Sequence, residues 1–293
     1  MPRPGPIDFF RQSLKSDAYE SDELINIWVL RPIAAAVVWL VYPTPVTPNV
    51  VTVAAILTGF ASAWCYWLHS PGSILAGGVL IVLKDILDDA DGQLARAKQL
   101  YSRRGRFLDS IGDFAVDLAV FTAITHAVYR IHADVGTILL GALAFLGTTL
   151  RVSYHVYYQV AFLHLGERYK LNRLTEGITD EDRRGDPVAL RLQEIFQVLY
   201  GWQDRLMALV DRWCMGDRFD ERQLPAWYSD RLALRLSGLM GFGTELMLLG
   251  LWSWSNALDA YLLLNVIVLN GVWAASVAYR RIVLSANLPG RGE

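Results

Sequence analysis

Apolar residues run in long blocks along this chain, separated by short groups of turn-forming residues. Six blocks are long enough for helices that cross the ~30 Å hydrocarbon core of a bilayer: 49–68, 73–95, 107–129, 136–162, 232–254 and 259–284. The breakers between them include His69-Ser70-Pro71-Gly72, His132-Ala133-Asp134 and Ser253-Trp254-Ser255-Asn256. A seventh block, 27–42, has 16 residues, contains Arg31-Pro32 and would measure about 24 Å as a helix. Its length is marginal for crossing, so the pattern predicts a helix lying in the interface, followed by a stiff proline-rich connector at 43–48. Between the fourth and fifth blocks, residues 164–231 hold 24 of the chain's 56 charged side chains. Two amphipathic stretches there, 188–200 and 203–213, predict a cytoplasmic helical hairpin.

The expected fold is an all-α integral membrane protein with six transmembrane helices, an N-terminal interfacial helix and a cytoplasmic helical insertion. Four segments follow: 1–48, the cytoplasmic N-terminus and juxtamembrane helix; 49–163, spans one to four; 164–231, the insertion; and 232–293, spans five and six with the tail. Composition agrees. Of 293 residues 53% are hydrophobic and only 19% charged, which excludes a water-soluble globule. A net charge of −2 gives no basic field for nucleic acid. Cys65 and Cys214 are too few for a disulfide framework or a zinc site. Arg96, Lys98, Arg103, Arg104 and Arg106 lie in one loop and Arg280 and Arg281 near the end, whereas the opposite turns carry Arg130 alone. Positive-inside asymmetry places that loop and both termini in the cytoplasm.

The second and third blocks are abnormal for membrane helices. They hold Asp85, Asp88, Asp89, Asp91, Asp109, Asp113 and Asp117, although each ionised carboxylate at a helix centre costs about 2.5–3.5 kcal/mol on insertion scales. Asp88 and Asp91 share one helix face, and Asp109 and Asp113 share a face of the next. An antiparallel pair of helices lets these faces meet at the cytoplasmic end. An all-oxygen set with no His or Cys suits a hard divalent cation such as Mg²⁺, and bridging carboxylates can hold two. Gly92 removes a side chain beside the carboxylates, Ala95 extends the small surface, and the basic loop follows. Metal ligands beside cationic groups suit a diphosphate. Lys84, four residues before Asp88, is the expected counter-charge of Asp85, Asp89 and Asp117.

The run Asp88-x2-Asp91-Gly92-x2-Ala95-Arg96-x8-Gly105-x3-Asp109-x3-Asp113 resembles, without a departure, the signature of the CDP-alcohol phosphotransferase (phosphatidyltransferase) family. Pro48-Asn49-x2-Thr52 adds a weaker likeness at the start of the first span, and the insertion has no counterpart. The resemblance implies that Asp88, Asp91 and Asp109 bind two Mg²⁺ or Mn²⁺ ions. Asp113 is implied as the general base near, or also ligating, the metals. Gly92, Ala95, Arg96, Gly105 and Asn49 are implied to line the cytidine diphosphate. It further implies transfer of a substituted phosphate from a CDP-linked donor to an alcohol, with release of CMP, in a protein that forms homodimers.

Several readings stay open at this level. CDP-diacylglycerol with a small polar alcohol is favoured as the substrate pair, with a CDP-aminoalcohol acting on diacylglycerol as the alternative. An intramembrane prenyltransferase and a divalent-cation transporter are weaker competitors, because the carboxylates crowd a single helical hairpin. Arg151, Tyr154 and His155 in the fourth span either line the acceptor pocket or serve a salt bridge to an aspartate on the neighbouring span.

Overall fold

The computed structural model describes residues 20–165, 177–216 and 220–287, and every described element is helical. Residues 1–19, 166–176, 217–219 and 288–293, which belong to the N-terminal, insertion and tail segments anticipated above, lie outside the described residues. Helix α1 (Asn26–Val41) begins with a π turn and carries Pro32 near its start. Helix α2 (Pro48–Trp67) starts with proline in the first turn, where its missing N–H costs nothing. Helix α3 (Pro71–Lys98) opens on a capping box between Ser70 and Ser73 and stops at Gln99, which adopts left-handed φ of 56°. Ser102 caps α4 (Arg103–His132) by accepting from the Gly105 N–H at 3.1 Å. Helices α5 (Val135–Leu165), α6 (Pro187–Met215), α7 (Arg231–Gly238), α8 (Phe242–Trp254) and α9 (Leu258–Asn287) follow.

Three of these, α2, α5 and α9, are long and apolar enough to cross a membrane, and α7 with α8 forms a fourth unit bent by 41°. The fifth block is therefore not the straight span its apolar run suggests. Helices α3 and α4 have 28 and 30 residues, about 42 and 45 Å at 1.5 Å per residue, but carry the carboxylates. Helix α2 packs against both. A Cβ on Gly112 of α4 would overlap the Ile56 side chain of α2, so this glycine permits the close approach. Tyr66, Ile81, Val116, Ile124 and Leu249 form the centre of the largest core. Helix α1 adds a second core by laying Leu30, Ala34 and Val38 on Ile86, Ala90 and Leu94 of α3.

The expected hairpin in the insertion is instead one continuous helix, α6. A short turn of helix at Asp180–Arg184 precedes it, and Leu224–Tyr228 follows. The break between α7 and α8 has its own function in the fold. Glu23 accepts from the Thr244 N–H at 2.7 Å and the Gly243 N–H at 3.3 Å, neutralising donors left open at the N-terminus of α8. Burial nevertheless pushes the Glu23 carboxyl up to about 7. Its folded value exceeds its unfolded one, so its contribution to stability is full below pH 4.5 and is lost as pH rises through about 7. Glu23→Gln should flatten the decline in thermal stability over that window; an unchanged pH profile would show that Glu23 does not titrate there.

Candidate active site

Helices α3 and α4 both pack on α2, and their carboxylates meet across it. Asp88, Asp91 and Asp109 each bring a carboxylate oxygen within 4.8 Å of the other two. Thr52 of α2 donates its hydroxyl hydrogen in a short hydrogen bond to Asp91 Oδ2, and the Pro48 carbonyl lies 3.2 Å from the same hydroxyl oxygen. That contact fixes the orientation of Asp91. Among the described residues, the buried oxygens Asp88 Oδ1, Asp85 Oδ2 and Asp89 Oδ2 have no hydrogen-bond partner. Buried carboxylate oxygens without donors are strongly unfavourable unless a cation completes them. The set contains only oxygen donors, which fits Mg²⁺ or Mn²⁺.

Asp113, the fourth position, is placed differently from the trio. Lys84 of α3 has no exposed side-chain surface and donates to Asp113 Oδ1, with Asp88 Oδ2 3.7 Å away. The same ammonium lies 4.4 Å from the Phe242 ring centroid. The counter-charge anticipated for Asp85, Asp89 and Asp117 thus pairs directly with Asp113 instead.

The glycine positions have distinct physical reasons. A Cβ on Gly92 would meet only the tip of Arg96, at 3.4 Å, so the side of the carboxylates stays open beside a guanidinium. Gly105 is buried against Asn49, and a Cβ there would overlap the Asn49 amide oxygen. Asn49 and Gly105, 56 positions apart, are thereby brought together, and Ala95 lies one turn beyond Asp91 on α3.

The basic loop divides its work. Lys98 donates to the Thr44 and Val46 carbonyls at 2.8 and 2.7 Å, tying the proline-rich connector to the end of α3. Arg103 pairs with Asp182 at 2.5 Å and Arg104 makes a bidentate contact with Asp186, so both fasten the insertion. The Arg103 hydrogen bond holds the Asp182 carboxyl well below the usual carboxylate range. Arg96 and Arg106 are the loop guanidinium groups not engaged in these two clamps.

Arg151 sits in a buried polar network. It donates to Glu245 Oε1 at 2.7 Å, to the Asn265 carbonyl at 3.3 Å, to Asn270 Oδ1 at 2.5 Å, to Thr148 Oγ1 at 3.1 Å and to Asn265 Oδ1 at 3.0 Å. All five guanidinium N–H groups therefore have acceptors, and binding an acceptor alcohol here would require breaking that set. The salt-bridge partner is Glu245 rather than an aspartate. Tyr154 is within 3.2 Å of Ser276 Oγ, and His155 is buried with Nδ1 unpartnered.

Tyr200 is a contributor that spacing along the chain did not reveal. Its hydroxyl, on α6, donates to the Ser110 carbonyl at 2.8 Å, between Asp109 and Asp113 on α4. Its ring packs on Phe114 and Phe196. Tyr200→Phe should lower turnover several-fold through misplacement of α4 while leaving donor KM and thermal stability nearly unchanged. Equal turnover in the variant would remove Tyr200 from the site.

These features describe an all-α chain with several helices long and apolar enough to cross a membrane and a cluster of three carboxylates beside a guanidinium. Residues 45–175 match the sequence model of the CDP-alcohol phosphatidyltransferase family, and this part of the chain is a domain of that family. The chain is also 40% identical over 82 residues to the bifunctional IPC transferase and DIPP synthase of Thermococcus kodakarensis, covering 28% of this chain and 18% of that protein. Its counterpart in Archaeoglobus fulgidus is 38% identical over 111 residues, 38% of this chain and 21% of the relative. That of Aquifex aeolicus is 38% identical over 78 residues, 27% and 17% respectively. The chain spans about a fifth of the length of these curated relatives.

Proposed function

We propose that this protein transfers a substituted phosphate from a CDP-linked donor, CDP-diacylglycerol, to the hydroxyl of a small polar alcohol and releases CMP. The observation that carries the reading is the convergence of Asp88, Asp91 and Asp109 within 4.8 Å beside the open flank of Gly92. Those three residues would hold one or two divalent ions, Mg²⁺ or Mn²⁺. Bound there, the ions supply neutralisation of the diphosphate and of the departing CMP.

The chain's own residues account for the rest. Arg96, beside Gly92, offers charge-assisted hydrogen bonds to phosphate oxygens. Asn49 and Gly105 shape one wall for the nucleotide. Asp113 accepts the proton of the attacking hydroxyl as its oxygen bonds to phosphorus and the bond from phosphorus to CMP breaks. Lys84 orients that carboxylate and balances its charge. Six crossings, with α3 and α4 completing the set, put this chemistry at the cytoplasmic boundary, where a lipid donor and a polar acceptor can meet. The homodimer implied by the resemblance belongs to the same reading.

The transporter reading is less well supported, because the converging carboxylates come from two adjacent helices only. Incubation of the purified protein with labelled CDP-diacylglycerol and a panel of polar alcohols should yield CMP and one lipid product. EDTA should abolish both. Turnover unaffected by EDTA would overturn the metal assignment, and product from CDP-aminoalcohol and diacylglycerol alone would overturn the donor.

A further inference from the structure

Helix α6 lies outside the matched family segment and presents three distinct faces. Phe196, Tyr200, Gln203 and Asp211 form a seam against the bundle. Tyr200 reaches Ser110, Gln203 contacts Ser153, and Asp211 accepts from Tyr158 at 2.8 Å. A second face carries Glu194, Gln197, Gly201, Arg205 and Arg212. The third is largely apolar and uncovered: Val188, Ile195, Val198, Trp202, Leu209 and Trp213, with Val198 76% and Leu209 62% exposed and Arg191 in line with Leu209. At 3.6 residues per turn Ile195 and Trp202 point about 80–100° away from Glu194 and Arg212, while Val198 and Leu209 border the polar face. A helix on the surface of a soluble domain needs two faces, one buried and one wet. A third, apolar face requires a third environment.

Its neighbours indicate which. Helix α6 lies along the sides of α4 and α5 rather than beyond their ends. Phe114, which packs on Tyr200, is about 16 Å along α4 from Arg103 at 1.5 Å per residue. At its far end Trp213 accepts from Arg281 Nη1 at 2.6 Å, and that guanidinium lies 5.1 Å from the Trp213 ring. Arg281 belongs to the last turns of α9, one of the long apolar helices, and is followed by exposed Ile282 and Val283. The uncovered stripe therefore continues into the apolar surface of a spanning helix. A Trp–Arg pair at such a junction is the composition of a bilayer interface.

Building on the membrane placement proposed above, we propose that α6 lies in the plane of the cytoplasmic leaflet. Its apolar stripe sits at the acyl-chain boundary, its seam braces α4 beside Asp109 and Asp113, and its polar face meets water. The helix so placed connects the lipid surface to the reaction site through Tyr200.

The test uses the full chain in lipid nanodiscs, with Cys65→Ala as background and the fully buried Cys214 retained as an unlabelled thiol. Nitroxide labels are placed singly by Ile195→Cys, Trp202→Cys, Glu194→Cys and Arg212→Cys, with Leu57→Cys of α2 as the lipid control. Collision with oxygen against a water-soluble nickel chelate is measured at each. Labels at 195 and 202 should match 57, favouring oxygen several-fold, while 194 and 212 should favour nickel. Nickel preference at 195 and 202 with oxygen preference at 57 would place the stripe in water and overturn the proposal. Exclusion of both reagents there would show that protein, such as a second copy, covers it, which also overturns it. Nickel preference at 57 itself would instead reject the membrane reading on which the proposal rests.

Discussion

Asp91→Asn should abolish metal-dependent CMP release and weaken divalent-cation binding in the same variant. Asn has nearly the volume of Asp and retains an oxygen that can accept from Thr52, so the surrounding helices should pack as before. The change removes one of the three charges converging within 4.8 Å. Thr52→Val provides the graded comparison, because it leaves all three carboxylates and deletes only the hydrogen bond that orients Asp91. Loss of such a supporting partner typically costs about 10–100-fold in affinity or activity, and Asp91→Asn should exceed it. Mn²⁺ titration followed by electron paramagnetic resonance gives affinity independently of turnover. Wild-type Mn²⁺ affinity in Asp91→Asn would reject the assigned cation site.

The second large effect concerns the buried pair Lys84–Asp113. Lys84→Met leaves the Asp113 carboxylate without its cation in a site sealed from solvent on the lysine side. Breaking a buried pair by removing one partner costs on the order of 3–5 kcal/mol, enough to threaten the whole fold. Asp113→Asn should be milder for stability, because Lys84 still has Asp88 at 3.7 Å, yet it should eliminate transfer. The double variant Lys84→Met, Asp113→Asn separates the two roles. Thermal unfolding should recover most of the stability lost in Lys84→Met, while CMP release stays absent. Restored transfer in the double variant would refute Asp113 as the proton acceptor.

Much of this site was legible along the chain because helix periodicity is local. Spacings of three and four put Asp88 with Asp91 on one face and Asp109 with Asp113 on the next, whatever else the protein does. The open flank at Gly92 follows from composition at one position. Long apolar runs likewise imply membrane helices, although the described helices satisfy length and apolarity together in three cases and one bent pair, not six. The carboxylates themselves lower the apolarity of α3 and α4.

Other features depended on residues far apart. Gly201 lies where the two amphipathic stretches of the insertion meet, and a break was the natural expectation there. A glycine within a helix costs only about 1 kcal/mol relative to alanine. The continuous seam from Phe196 to Asp211 against α4 and α5 outweighs that penalty, and α6 runs through. The bend between α7 and α8 is stabilised by Glu23, more than 200 positions earlier. Arg151 could be read as an acceptor ligand until Glu245, Asn265 and Asn270 were seen to occupy its donors.

Order along the chain thus settled which side chains share a helical face and that their chemistry suits a cation and a diphosphate, since rise and twist per residue are the same in every α-helix. It left undetermined which faces meet. That choice came from packing: Lys84 turned to Asp113, 29 positions away, and Tyr200 reached the backbone between two aspartates. Such pairings arise from the joint burial of many side chains from several helices, and no interval between residues encodes them.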